Sequence, residues 1–442
     1  MRDQRAAFEW VRDHIHEFGG DSSRITAYGL SAGGTMISLQ TMAYGGKKGV
    51  PFQQAWVMSG PPGTFLNITS DATEYHTKVV ADKVGCGGLI GSEMLSCLRD
   101  VPMQKLIDSA MEYSISNHPP SGLFTFIPSV DDDFLPERHS KMMREGSFAE
   151  GIRMIFGWTQ DDGAMNVGPG HLIQTEEDMV ASIKSFVHAM TPEEYAELFH
   201  LYSASDFEEL DNYTSQNSPT DPDILVHYFR VSRILRDILF TCSSIDFGYH
   251  MVKHTQKTID TTFTGVRLYD LNQSALTPLW KGAGMPYVKI SHGSDNNYLF
   301  NGVFPEGQLT EEDQGLSEMM ARSLINFAYT GKPIGESPSQ KQFDEWPESY
   351  YEVGNDERLK NVKIQVIGGP HGTGSAILKD ETDDKRIKKS EKVGNMQQVL
   401  SDADTFGSMG LARENERKKL IEQEKLFQRC AYINSLANTL HI

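Results

Sequence analysis

Arg24-Ile25-Thr26-Ala27-Tyr28-Gly29-Leu30-Ser31-Ala32-Gly33-Gly34 is the stretch on which the fold turns. Ile25, Ala27 and Tyr28 make a short, mostly apolar strand. Gly29-Leu30-Ser31-Ala32-Gly33 is a G-x-S-x-G element, and Thr35 to Tyr44 continues with a helical pattern. Strand, sharp turn and helix in that order predict a nucleophile elbow, in which side chains at the flanking glycines would clash where strand and helix approach. Such an elbow stands Ser31 Oγ at the top of a sheet. It also aims the backbone N–H of Ala32, at a helix N-terminus, at a developing oxyanion. Alone, the pattern fits an ordinary loop serine as well as a nucleophile, so the decision rests on the rest of the chain.

On the N-terminal side, Arg2 to Phe18 reads as an amphipathic helix with Phe8, Val11, Ile15 and Phe18 on its apolar face, ended by Gly19-Gly20. His14 and His16 lie two apart on that helix and do not face each other, so no metal site is expected from them. On the C-terminal side, apolar runs at Gln54–Ser59, Ile152–Trp158, Gly265–Leu271 and Tyr287–Ser291 read as further strands. Helical patterns at Glu176–Met190, Pro192–Tyr202 and Ile224–Lys253 lie between them, and Thr310–Tyr329 follows. This alternation predicts an α/β chain with a largely parallel sheet and helices on both faces. Reactive loops of such sheets sit at the carboxyl ends of the strands. Ser31, Asp162 and His292 each fall directly after a predicted strand.

The mixed-sign run Lys379–Lys392 reads as a solvated loop, and Leu411–Leu440 as one long closing helix. With no internal repeat or low-complexity linker, residues 1–442 are expected to form a single domain. The net charge of −19 argues against nucleic acid or an anionic membrane as partner. No apolar run approaches the roughly 18 residues that a membrane span needs. The opening Met1-Arg2-Asp3-Gln4-Arg5 has none of the apolar character of a signal peptide.

Several motifs in one order carry a family resemblance. Asp3-Gln4-Arg5-Ala6-Ala7-Phe8-Glu9-Trp10-Val11 precedes the elbow, and Phe18-Gly19-Gly20-Asp21 leads into it. Cys97-Leu98-Arg99, Asp131 to Pro136, Asp161-Asp162-Gly163, His292 to Phe300 and Arg429-Cys430-Ala431 follow. Across nearly its whole length the chain resembles the type B carboxylesterase/lipase family, the cholinesterase-like branch of the α/β-hydrolases, and most of all its secreted fungal members. The resemblance implies an α/β-hydrolase fold and a serine hydrolase of small-molecule carboxylic esters, without cofactor or metal. Ser31 would attack the carbonyl and carry the acyl group, His292 would relay the proton, Asp162 would orient the imidazole, and Ala32 N–H would serve the oxyanion.

Two positions depart from the family pattern. Asp162 stands where the family usually has Glu, and Leu30 replaces the Glu common before the serine, which weakens the case for a cationic, choline-like substrate. Spacing alone leaves three pairings open for the four cysteines. The resemblance pairs Cys86 with Cys97 and Cys242 with Cys430. Sequons at Asn67, Asn212 and Asn272 suggest glycosylation, and with the cysteines they favour an extracellular, secreted protein. The H-G-G-G loop that supplies most of the family's oxyanion hole has no counterpart before Ser31. Gly368 to Gly374 lies too late to replace it and reads as an ordinary loop. The chain is therefore expected to be an N-terminally truncated member with its N-terminal strands missing, its Arg24–Tyr28 strand left as a bared edge and its esterase activity impaired. The alternative is a catalytically silent adhesion or binding protein on the same fold.

Overall fold

In the computed structural model, Thr26–Leu30 (β1), Gln54–Met58 (β2), Arg153–Thr159 (β3) and Val266–Leu271 (β4) pair side by side in parallel. The structure describes residues 1–117, 124–207, 224–300, 309–336, 342–351, 353, 359–380 and 405–442. Every residue of β2 and β4 is buried, as is β3 after Arg153. That continuous burial is what a sheet covered on both faces requires. Ala55 and Val57 pack into one apolar cluster, Trp56 and Met58 into the other, so the period of two divides a single strand between two cores. The Ala32–Met42 and Cys242–Thr258 helices cover the first face through Ile37, Leu39, Met42, Phe247 and Val252. The Glu311–Thr330 helix covers the second through Leu316, Met320 and Phe327. The architecture is that of an α/β-hydrolase fold.

Two further strands complete the six-stranded sheet: Asn361–Ile367 (β5), parallel to β4, and Gly374–Lys379 (β6), antiparallel to β5. Sequence reading finds neither. The Gly368 to Gly374 segment joins them as the loop expected there. β1 pairs with β2 alone among the described residues, which makes it an edge.

Several expected elements need correction. Tyr287–Ser291 is not a strand: Pro286–Val288 is a 3-10 turn, Lys289 takes φ 51°, and one bridge between Asp161 and Ser291 replaces a ladder. Pro286 fixes φ and lacks the N–H that a ladder uses. Phe18 is 71% exposed, because the helix tightens into a 3-10 turn at Ile15–Phe18 and turns that ring outward. The closing helix breaks into Thr405–Gln423 and Leu426–Ser435 at Lys425, which has φ 48°. Most of the Lys379–Lys392 run lies outside the described residues.

Both cysteine pairings occur. Cys86 bonds Cys97, and Cys242 bonds Cys430 across 188 residues, joining the Cys242–Thr258 helix to the last one. No described helix is long and apolar enough to cross a membrane.

Candidate active site

Ser31 caps the N-terminus of the Ala32–Met42 helix with φ 55° and ψ −125°. That backbone is costly for a residue with a side chain, and the surrounding glycines show how it is held. A Cβ on Gly29 would lie 2.5 Å from Gly33 C, and one on Gly60 would lie 2.4 Å from Ser31 O. A Cβ on Gly33 would meet nothing within 4 Å, so the second glycine of G-x-S-x-G is not sterically required here. The motif explains half of the elbow. Gly60, in the turn after β2, supplies the rest. Ser31 N–H donates to Met58 O at 2.8 Å, which seats the elbow on β2. Ala32 is exposed in the first helical turn, where N–H groups have no intrahelical acceptor.

Asp162 follows β3 and is fully buried. His292 Nδ1 and Asp162 Oδ1 share a 2.6 Å hydrogen bond. Oδ2 accepts from Ser59 Oγ at 2.6 Å and from Thr159 N–H at 3.1 Å. All four hydrogen-bonding groups lie at or just beyond the carboxyl ends of strands or in the His292 loop. Phe240 stacks on the His292 ring at 4.9 Å between centroids and 24° between planes. It stands in a π turn, Asp237–Thr241, inserted in an otherwise α-helical stretch from Val226 to Thr258. Such insertions shift the helix register and recur at functional sites.

Burial draws the His292 pKa down. The charge and hydrogen bond of Asp162, with the charge of Asp295, outweigh it and leave the pKa above its ordinary value. Asp295 is itself raised to about 6, chiefly by burial, and accepts from Tyr269 Oη at 2.7 Å.

The serine and histidine loops adjoin. Leu30 Cδ2 lies 3.5 Å from the point a Cβ on Gly293 would occupy, and Tyr28 Oη donates to Asn296 Oδ1. Ser31 Oγ makes no hydrogen bond to the His292 ring among the described residues. The structure thus joins two of the three predicted groups directly and sets the third on the neighbouring loop.

Sequence reading missed Ser59 and Phe240. Ser59 carried a usable signal, since it follows an apolar strand as Ser31 and Asp162 do. Phe240 carried none, because an inserted residue is invisible in a helical apolar pattern. A cavity of about 290 Å³ lined by Leu66, Phe124, Phe186, His188 and Leu239 opens one residue from Phe240; neither Ser31 nor His292 lines it.

Of the three sequons, Asn67 faces solvent. Asn272 is 7% exposed, with its Nδ2 donating to Asp270 O at 3.4 Å, and a glycan would need that nitrogen in solvent. Asn212 lies outside the described residues.

A profile of the carboxylesterase family matches residues 1–367. The chain belongs to the carboxylesterase family. Among curated relatives, this carboxylesterase-family chain is 29% identical over 445 residues to a secreted lipase of Arthroderma benhamiae, covering 98% of this chain and 66% of that protein. It is also 29% identical over 377 residues to an inactive carboxylesterase-like protein of Byssochlamys spectabilis, covering 83% and 62% respectively. The chain therefore spans just under two thirds of the length of these relatives. The crystal structure of Aspergillus niger EstA superposes with a TM-score of 0.64 at 18% identity, over 100% of this chain and 69% of that one, which supports the fold.

Proposed function

We propose that this protein hydrolyses small carboxylic esters through an acyl-enzyme on Ser31. The observation that carries the reading is the 2.6 Å hydrogen bond between His292 and Asp162 beside a serine held at positive φ. Asp162 would fix the tautomer that leaves His292 Nε2 free as a base, and stabilise the imidazolium once Ser31 has given up its proton. The carbonyl oxygen of the tetrahedral intermediate would meet the Ala32 N–H. His292 would pass the Ser31 proton to the leaving alcohol; it would then take a proton from the water that attacks the acyl group and return it to Ser31 as the carboxylic acid departs. The family and the secreted lipase relative support ester chemistry, and that relative with the disulfides supports an extracellular setting.

A second reading, a silent binding protein, draws on the missing Ser31–His292 hydrogen bond and on the relative named inactive. A fluorophosphonate probe separates the two. Labelling of the folded chain at Ser31, found by peptide mass spectrometry and lost in Ser31→Ala, supports the enzyme. A folded chain that takes no label overturns it.

A further inference from the structure

We propose that Glu424, at the break between the last two helices, is a positioning residue that braces the loop carrying Asp162. The inference deepens the functional reading above and rests on it.

Glu424 is 5% exposed. Its Oε1 accepts from Gln160 Nε2 at 2.9 Å and from Arg233 Nη1, and its Oε2 accepts from Arg236 Nη2 at 2.8 Å. Its backbone oxygen accepts from Arg429 Nη1 at 2.8 Å. Burial alone would push this carboxyl up; Arg233, Arg236 and Arg429 instead hold it well below the usual carboxylate range, so it stays charged. A carboxylate so enclosed could serve packing alone. Its contacts point to more, because they converge on the residues just before Asp162.

Gln160 is bound twice, its side chain by Glu424 and its carbonyl by Arg236 Nη1 at 3.5 Å. Arg233, anchored on Glu424, places Nη2 4.0 Å from Asp161 Oδ1. Asp161 in turn grips the histidine loop. Its N–H donates to Ile290 O at 3.1 Å, and its Oδ2 accepts from Ile290 N–H at 3.3 Å. The loop before the acid and the loop before the base are thereby tied together, with Glu424 as the common anchor. Lys425 adopts the left-handed backbone that breaks the closing helix directly after Glu424. The Cys242–Cys430 bond fixes the helix that follows.

The test reads the His292–Asp162 pair without relying on turnover. In proton NMR of the full chain, the His292 Nδ1 proton is expected as an exchange-protected signal far downfield, assigned by its loss in His292→Ala. Glu424→Gln leaves three buried guanidinium groups short of a counter-charge and is at risk of not folding. Gln160→Met cuts the direct link from Glu424 to the loop while keeping every charge. The folded Gln160→Met protein is expected to lose protection of that signal, and its His292 titration midpoint to fall toward the ordinary imidazole value. A folded Gln160→Met protein with signal and midpoint unchanged overturns the bracing role. Absence of the signal from the unsubstituted chain would instead count against the triad reading on which the inference rests.

Discussion

Ser59 Oγ hydrogen-bonds the one Asp162 oxygen that His292 leaves free, at 2.6 Å, the same distance that His292 keeps to the other. The acid is thus held from both sides. Thr159 N–H adds a third donor, and the carboxylate has almost no rotational freedom. Ser59→Ala removes one charge-assisted bond and leaves the others. It is expected to lower kcat/KM for a short-chain ester by on the order of 10-fold, the scale of a hydrogen bond to a charged group. With less of its charge shared, Asp162 should also raise the His292 titration midpoint further. Kinetics across pH measure both effects.

The pH dependence follows from His292. A base works only when neutral, and its folded pKa is raised, so the acid limb of kcat/KM should lie above the ordinary imidazole value near 6.5. Asp162→Asn removes the main raising influence and leaves burial opposed by Asp295 alone, so the limb should move to lower pH. The rate should fall by roughly 10³- to 10⁴-fold because the tautomer is no longer fixed. A pH–rate profile of both proteins is the measurement. A limb that stays in place in Asp162→Asn would separate His292 from that acid.

Glycine substitutions should divide the elbow. Gly60→Ala puts a methyl group 2.4 Å from Ser31 O and 2.7 Å from Thr35 N, with backbone atoms that cannot step aside. A loss of about 1–3 kcal/mol is expected, the usual scale of overpacking. Gly33→Ala meets nothing within 4 Å and lies in a helix, so stability should hold within about 0.5 kcal/mol or rise slightly. Urea unfolding compares them.

The two cross-links should differ in worth. On chain entropy, the pair closing 11 residues contributes about 3 kcal/mol and the pair closing 188 about 5 kcal/mol. Replacing Cys242 and Cys430 together by alanine should therefore cost more than replacing Cys86 and Cys97, read from denaturation midpoints of the two double variants.

What the sequence revealed, and what it hid, follows from the range of each interaction. Ser31 and Asp162 were placed at strand ends by two local rules, an apolar run and the turn ending it, and they do follow β1 and β3; His292 was reached by the same rules through a strand that does not form. Ser59 obeys the same rules, but a lone serine after a strand looks like any turn residue. β5 was readable in principle, since Val362, Ile364 and Val366 alternate with Lys363 and Gln365; a search for continuous apolar runs passed over it. Tyr287–Ser291 failed the other way, its apolar composition hiding the backbone conflict at Pro286 and Lys289. The Glu424 cluster was beyond any local reading. Its partners at 160, 233, 236 and 429 become neighbours only through folding, and helical periodicity carried the expected closing helix straight through the residue that ends it.

Phe240 and Cys242 stand two residues apart, one resting flat against the imidazole, the other bolted to the chain's final helix. A reducing milieu would loosen the floor beneath the ring before it touched the ring itself. Catalytic competence in such a molecule would depend on the chemistry of its surroundings as much as on the groups that face the substrate.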